Sequence, residues 1–100
     1  MKNNNLETVK GLLKRNLSSL KDRYPIERLA LFGSVTRNDF DPINSDIDIL
    51  VEFNGSIGLA FFGLEKELES LLGKKIDLVS TDSLVKPWWK EHILKQAIYV

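Results

Sequence analysis

The order of helical and strand patterns along the chain predicts an α/β (α+β) fold, with a small mixed β-sheet of three to four strands and helices packed mainly on one face. Two observations support this prediction. Apolar residues recur at helical spacing over residues 5–22 and 59–72, and short apolar runs at 26–32, 46–53 and 75–80 resemble strands. The 100 residues, 43% of them hydrophobic, suit a single domain spanning 1–100 with a packed core.

Three helices are expected. The first, over 5–22, has one leucine-rich stripe and ends at Tyr24-Pro25, because the residue before a proline disfavours helical backbone. The second, over 59–72, carries a solvated acidic face and ends at Gly73. Pro87 suits the first turn of a last helix, which runs through about Gln96.

The strand over 46–53 carries two carboxylates on one side. Strands alternate faces with a period of two, so Asp46 and Asp48 point to the same side and the intervening apolar residues to the other. Side by side, these carboxylates repel each other, and Mg²⁺ is commonly held by one or two carboxylates together with substrate phosphates. Asp77, on the next strand over 75–80, reads in isolation as an ordinary exposed edge residue.

Gly33-Ser34 lies where the strand over 26–32 ends and a short helix over 34–39 is expected, followed by a loop over 39–45. Glycine lets backbone approach a ligand closely, and free N–H groups at a helix start can bind an anion. A phosphate cradle beside paired carboxylates indicates phosphoryl or nucleotidyl chemistry. A calcium-binding reading is weaker, since the acidic spacing of an EF-hand loop is absent.

Composition excludes several classes of protein. With a formal net charge of zero, strong nonspecific nucleic-acid binding is not expected, since it needs a basic surface. Without cysteine, neither a disulfide framework nor a thiolate zinc site can form. The first residues lack the apolar segment of a signal peptide, and no apolar run reaches membrane-spanning length, so we expect a cytoplasmic protein without a membrane partner.

The spacing of these motifs resembles the signature of the DNA polymerase β-like nucleotidyltransferase superfamily. Gly33-Ser34 is followed after eleven residues by Asp46-Ile47-Asp48, and the strand around Asp77 resembles the one that carries the third carboxylate of that superfamily. The short length and the ending over 93–99 resemble the minimal nucleotidyltransferases, called MNT. The resemblance covers nearly the whole chain and implies the nucleotidyltransferase fold.

The resemblance also implies roles for individual residues. Asp46, Asp48 and Asp77 would be catalytic and would hold Mg²⁺, with two ions as the expected number. Gly33, Ser34 and Arg37 would bind the triphosphate of ATP, although Arg37 could equally be an ordinary surface arginine.

The minimal nucleotidyltransferases that this chain resembles are antitoxins, each paired with a HEPN-domain toxin. The resemblance therefore implies transfer of AMP from ATP to a hydroxyl of a partner toxin, with tyrosine as the expected acceptor. One alternative is a non-catalytic module that neutralises its partner by contact alone. An antibiotic-modifying nucleotidyltransferase is a third reading, but those enzymes carry an additional domain for which a chain of 100 residues has little room.

Overall fold

The computed structural model describes residues 5–37, 40–41, 43–83 and 87–100. It contains helices α1 (Asn5–Arg23), α2 (Ala60–Leu72) and α3 (Pro87–Gln96) and strands β1 (Ile26–Phe32), β2 (Ile47–Phe53), β3 (Ile76–Ser80) and β4 (Ile98–Tyr99). The three long helices and the first three strands that were predicted are confirmed to within about one residue, whereas the short helix over 34–39 is not. No helix among the described residues is long and apolar enough to cross a membrane.

The four strands form one mixed sheet in the order β3-β2-β1-β4. β1 pairs antiparallel with β2 and with β4, whereas β2 and β3 run parallel. Helix α2 forms the crossover between these two parallel strands, as a parallel pair requires. Because β2 and β3 are parallel neighbours, the first residues of the two strands lie side by side.

The main core lies between one face of the sheet and helices α1 and α2. Its most deeply buried members come from every layer, namely Leu13, Leu20, Leu29, Leu31, Ile47, Ile49, Val51, Leu64 and Leu68. Because strand side chains alternate, this cluster takes up one face of β1 and β2.

Helix α3 covers the opposite face with a smaller cluster, Ala30, Leu50 and Ile93, against which Phe32, Val79 and Ala97 also pack. Two of the three helices thus share one face, as predicted, and the third packs on the other. Asp48 and Asp77 alternate with the main-core residues of their strands, so both lie on the face that α3 partly covers.

Candidate active site

Two of the three predicted carboxylates are direct neighbours in the sheet. Asp48 on β2 is paired in register with Asp77 on β3, and neighbouring strands lie about 4.8 Å apart. Asp46 immediately precedes β2 and alternates with Ile47 and Ile49, which are completely buried on the other face. The parallel crossover therefore brings a carboxylate 29 positions downstream of Asp48 alongside it.

The environment of Asp48 disfavours its negative charge. Asp48 is partly buried, whereas Asp46 and Asp77 are exposed. The pKa of Asp48 is raised to about 6, chiefly by burial and also by the charges of Asp77 and Asp46, while the charge of Arg37 opposes the shift. A cation near these carboxylates would favour the ionised form. The site is thus suited to a positively charged ligand.

Gly33 lies directly against Asp48. Gly33 has φ +73°, and a Cβ at this position would stand 3.0 Å from the carboxyl carbon of Asp48 and closer still to one of its oxygens. Any side chain here would meet both an unfavourable backbone conformation and the carboxylate of Asp48. The sequence places glycine here because the backbone and the carboxylate share the same space.

The turn Gly33–Thr36, here called the Gly-Ser turn, is a single 3-10 turn and not the predicted helix over 34–39. The Thr36 hydroxyl donates to the Gly33 carbonyl at 2.7 Å, and the Arg37 backbone is already extended. Hydrogen bonds of this kind, from a side chain to the backbone, compete with helix propagation. The β-branched residues Val35 and Thr36 also have low helix propensity. Residues 38 and 39 of the predicted helix lie outside the described part of the chain.

A buried side chain fixes the Gly-Ser turn to the main core. Val35 is 2% exposed and packs into the main core, while Ser34 beside it is partly accessible. The buried Val35 side chain thus holds the partly accessible Ser34 at the end of β1. An anion at this turn would meet backbone N–H groups and a hydroxyl, without the dipole of a long helix.

Arg37 follows the turn and is exposed, with its guanidinium donating to the Gln96 side-chain oxygen on α3 at 3.5 Å. Its positive charge lowers the pKa of Asp48. The role of Arg37 in binding phosphate stays a prediction.

A further depression of about 390 Å³ opens beside Asp46. It is lined by Ile43, Asn44, Ser45, Gly73, Lys74 and Lys75 in addition to Asp46. Asp41 shapes its edge, because its carboxylate accepts the backbone N–H groups of Ile43 and Asn44 at 2.9 and 3.3 Å. The sequence does not mark these lysines as part of a site, since surface lysines carry no distinguishing pattern.

The donor set fits a hard divalent cation through one or two ligands at a time. Among the described residues, no three or more His, Cys, Asp or Glu side chains converge closely enough to hold a metal ion. Mg²⁺ does not need such a cage, because it keeps several waters and is usually bound by one or two carboxylates plus phosphates. Adjacent Asp48 and Asp77 can supply that number.

Sequence profiles place the chain among known proteins. Residues 13–100 match the profile of the nucleotidyltransferase domain. The chain belongs to the nucleotidyltransferase domain family. The match begins within α1 and includes all the candidate site residues.

Two archaeal relatives of this nucleotidyltransferase carry more specific names. This chain is 41% identical over 96 residues to a candidate protein adenylyltransferase of Methanocaldococcus jannaschii, and the match covers 95% of this chain and 97% of the relative. It is 35% identical over 96 residues to the protein adenylyltransferase MntA of Thermococcus cleftensis, covering 95% of each chain.

Solved structures confirm the predicted minimal nucleotidyltransferase fold. A structure described as a candidate minimal nucleotidyltransferase matches with a TM-score of 0.71 and 35% identity, over 90% of this chain and 93% of that chain. A toxin-antitoxin structure with AMP-PNP matches with a TM-score of 0.65 and 26% identity, over 97% of this nucleotidyltransferase and 72% of that chain.

Proposed function

We propose that this nucleotidyltransferase is a Mg²⁺-dependent protein adenylyltransferase that transfers AMP from ATP to a partner toxin and so acts as its antitoxin. The observation that carries the proposal is the contact of Gly33 with Asp48, which is paired in turn with Asp77. A phosphate-binding turn and adjacent carboxylates meet at one point. The names of the two archaeal relatives and the AMP-PNP complex support the same direction.

The Gly-Ser turn and Arg37 would bind the triphosphate. At Gly33 the backbone is open to close approach, the Ser34 hydroxyl donates to a phosphate oxygen, and the Arg37 guanidinium neutralises phosphate charge. Asp46, Asp48 and Asp77 would hold Mg²⁺, which when bound supplies charge neutralisation and lowers the pKa of the attacking hydroxyl. Catalysis of phosphoryl transfer consists mostly of such positioning and charge stabilisation.

The transfer step forms a bond between the acceptor oxygen and the α-phosphorus of ATP. The bond between the α-phosphorus and the bridging oxygen to the β-phosphorus breaks, and pyrophosphate leaves. Asp77 is exposed and accepts the proton of the acceptor hydroxyl. The carboxylate that receives the proton therefore comes from β3, and the Gly-Ser turn at the end of β1 holds the phosphates.

A protein acceptor suits a site that is open at the sheet surface. Asp46 and Asp77 are both exposed, so a partner can supply the missing wall and present its own hydroxyl. Tyrosine reaches furthest from its backbone and has the lowest pKa of the hydroxyl side chains. We infer a tyrosine on a HEPN-domain toxin as the acceptor.

The nucleotide site can be tested without the partner by the ligand-induced rise in melting temperature. ATP with Mg²⁺ should raise it, because a ligand that binds the native state stabilises it, whereas ATP with a chelator should raise it much less. Asp48→Asn should abolish most of the Mg²⁺-dependent part. Asp82→Asn, an exposed aspartate outside the site, is the matched control. An equal Mg²⁺-dependent rise in wild type and Asp48→Asn would remove these carboxylates from the metal site.

A further inference from the structure

Three side chains connect α3 to the candidate active site. The Arg37 guanidinium donates to Gln96 Oε1 at 3.5 Å, and Gln96 Nε2 lies 2.9 Å from His92 Nε2 one helical turn earlier. The charge of Arg37 in turn acts on Asp48. Ile93, between His92 and Gln96, is buried against the sheet and fixes this part of α3.

The donor and acceptor groups of the three side chains determine which atom donates in each of these contacts. Arginine can only donate, so the Gln96 amide must turn its oxygen toward Arg37 and its NH₂ group toward His92. The Nε2 atom of His92 must then accept, which requires its proton to be on Nδ1. An imidazole protonated at Nε2 would face the NH₂ group with a second donor and would favour the reversed amide. The reversed amide presents hydrogens to Arg37.

We propose that Gln96 is a positioning residue for Arg37, and that His92, acting as an acceptor, sets the orientation of the Gln96 amide. An exposed arginine loses conformational freedom when it binds phosphate, and a partner that already holds the guanidinium near the site lowers that cost. The part of this inference that concerns phosphate rests on the proposed function; the orientation of the three side chains does not.

The orientation is tested first, with no nucleotide present. The ¹⁵N chemical shifts of the His92 ring in the intact protein, measured at pH 8, report which nitrogen carries the proton. We expect Nδ1–H with an unprotonated Nε2, and a shift toward the Nε2–H form in Gln96→Leu, which removes the donor. A proton predominantly on Nε2 in the wild type would overturn the proposed role of His92.

The positioning role is tested by a double-mutant cycle on the dissociation constant for ATP with Mg²⁺. Gln96→Leu should weaken binding about three- to tenfold, the loss expected of one hydrogen bond, and should raise KM more than it lowers kcat. In an Arg37→Ala background the same change should have no effect, and Lys95→Gln, on the neighbouring exposed position of α3, should have none in either.

Equal effects of Gln96→Leu in the two backgrounds, or no effect in the wild type, would overturn the positioning role. A wild-type protein that binds no ATP would instead contradict the proposed function, and the ring ¹⁵N measurement would still decide the orientation of His92 and Gln96.

Discussion

At the scale of single residues, Asp48 has the clearest energetic signature. Its pKa in the fold is about 6, against 3.8 for an ordinary aspartate, so the folded protein binds more protons than the unfolded chain between these values. Stability therefore falls as the pH rises through this window, and ionised Asp48 costs stability at pH 7. For a partly exposed group, the cost after solvent screening is on the order of 1–2 kcal/mol.

Asp48→Asn should consequently raise the free energy of unfolding at pH 7 by about 1 kcal/mol and leave it nearly unchanged below about pH 4, where both side chains are neutral. Urea unfolding at the two pH values measures the difference. Asp82→Asn serves as the exposed control. A variant that is less stable than wild type at pH 7 would mean that Asp48 supports the fold, contrary to its electrostatic environment.

Substitution of Gly33 supplies a second test at this scale, because an added side chain would be destabilising for two separable reasons. Gly33→Ala should destabilise the protein by about 2–4 kcal/mol, through the positive φ and the clash with Asp48. Gly73→Ala shares the positive φ (+67°) but has open space at its Cβ, so it should cost only about 1 kcal/mol.

Most of the clash component should disappear in an Asp48→Ala background, where only the Cβ of residue 48 remains, 3.3 Å from the new Cβ. Chemical denaturation should then find the costs of the two glycine substitutions much closer to each other. Gly33→Ala that costs the same with and without the Asp48 side chain would show that the two residues are not in contact.

At the scale of secondary structure, α2 is held by its buried leucines and not by its ion pair. Leu64 and Leu68 are completely buried, whereas Glu67 binds Arg23 and Tyr24 at the surface between α1 and α2. Leu68→Ala should cost about 2–5 kcal/mol in urea unfolding, and Glu67→Gln only a small fraction of that, because exposed ion pairs contribute little. The opposite ranking would require the ion pair to define the α1–α2 contact.

Local patterns predicted most of these elements, since helix α2 and strands β1 to β3 are specified by their own apolar spacing. The pattern failed where tertiary contacts decide. The short helix after Gly33 is reduced to one turn by the Thr36 hydroxyl bond. The Ile98–Tyr99 strand is two residues long and is defined only by pairing with Ala30 and Leu31 of β1.

In the candidate site, too, local sequence patterns predict one part, and tertiary contacts determine the rest. The Asp46–Asp48 pair follows from strand alternation. Asp77 was included because of that pair together with the family resemblance, since its spacing of 29 residues from Asp48 carries no signal by itself. The contact of Arg37 with Gln96 could not be predicted, because it depends on where α3 crosses the sheet. The contact of His92 with Gln96 could not be predicted either, and the spacing of four between the two residues was the only available signal.

At the scale of the whole molecule, the strand order unites the end of β1 with the starts of β2 and β3. Helices α1 and α2 cover the other face, so the carboxylates and α3 share one side of the sheet, and the Gly-Ser turn lies at the end of β1. The proposed function has the Gly-Ser turn bind the nucleotide, and a partner would approach the exposed Asp46 and Asp77. This arrangement is suited to the proposed transfer of AMP to a partner protein.

Intact-mass spectrometry of a candidate HEPN toxin tests this claim most directly. The toxin is incubated with ATP, Mg²⁺ and either the wild-type protein or Asp77→Ala, which removes the proposed proton acceptor while leaving the Gly-Ser turn in place. We expect the wild type to add one AMP mass per transfer and to lower the activity of the toxin, and Asp77→Ala to add none. Equal neutralisation of the toxin by both proteins, with no added mass in either, would contradict the account and favour inhibition by contact alone.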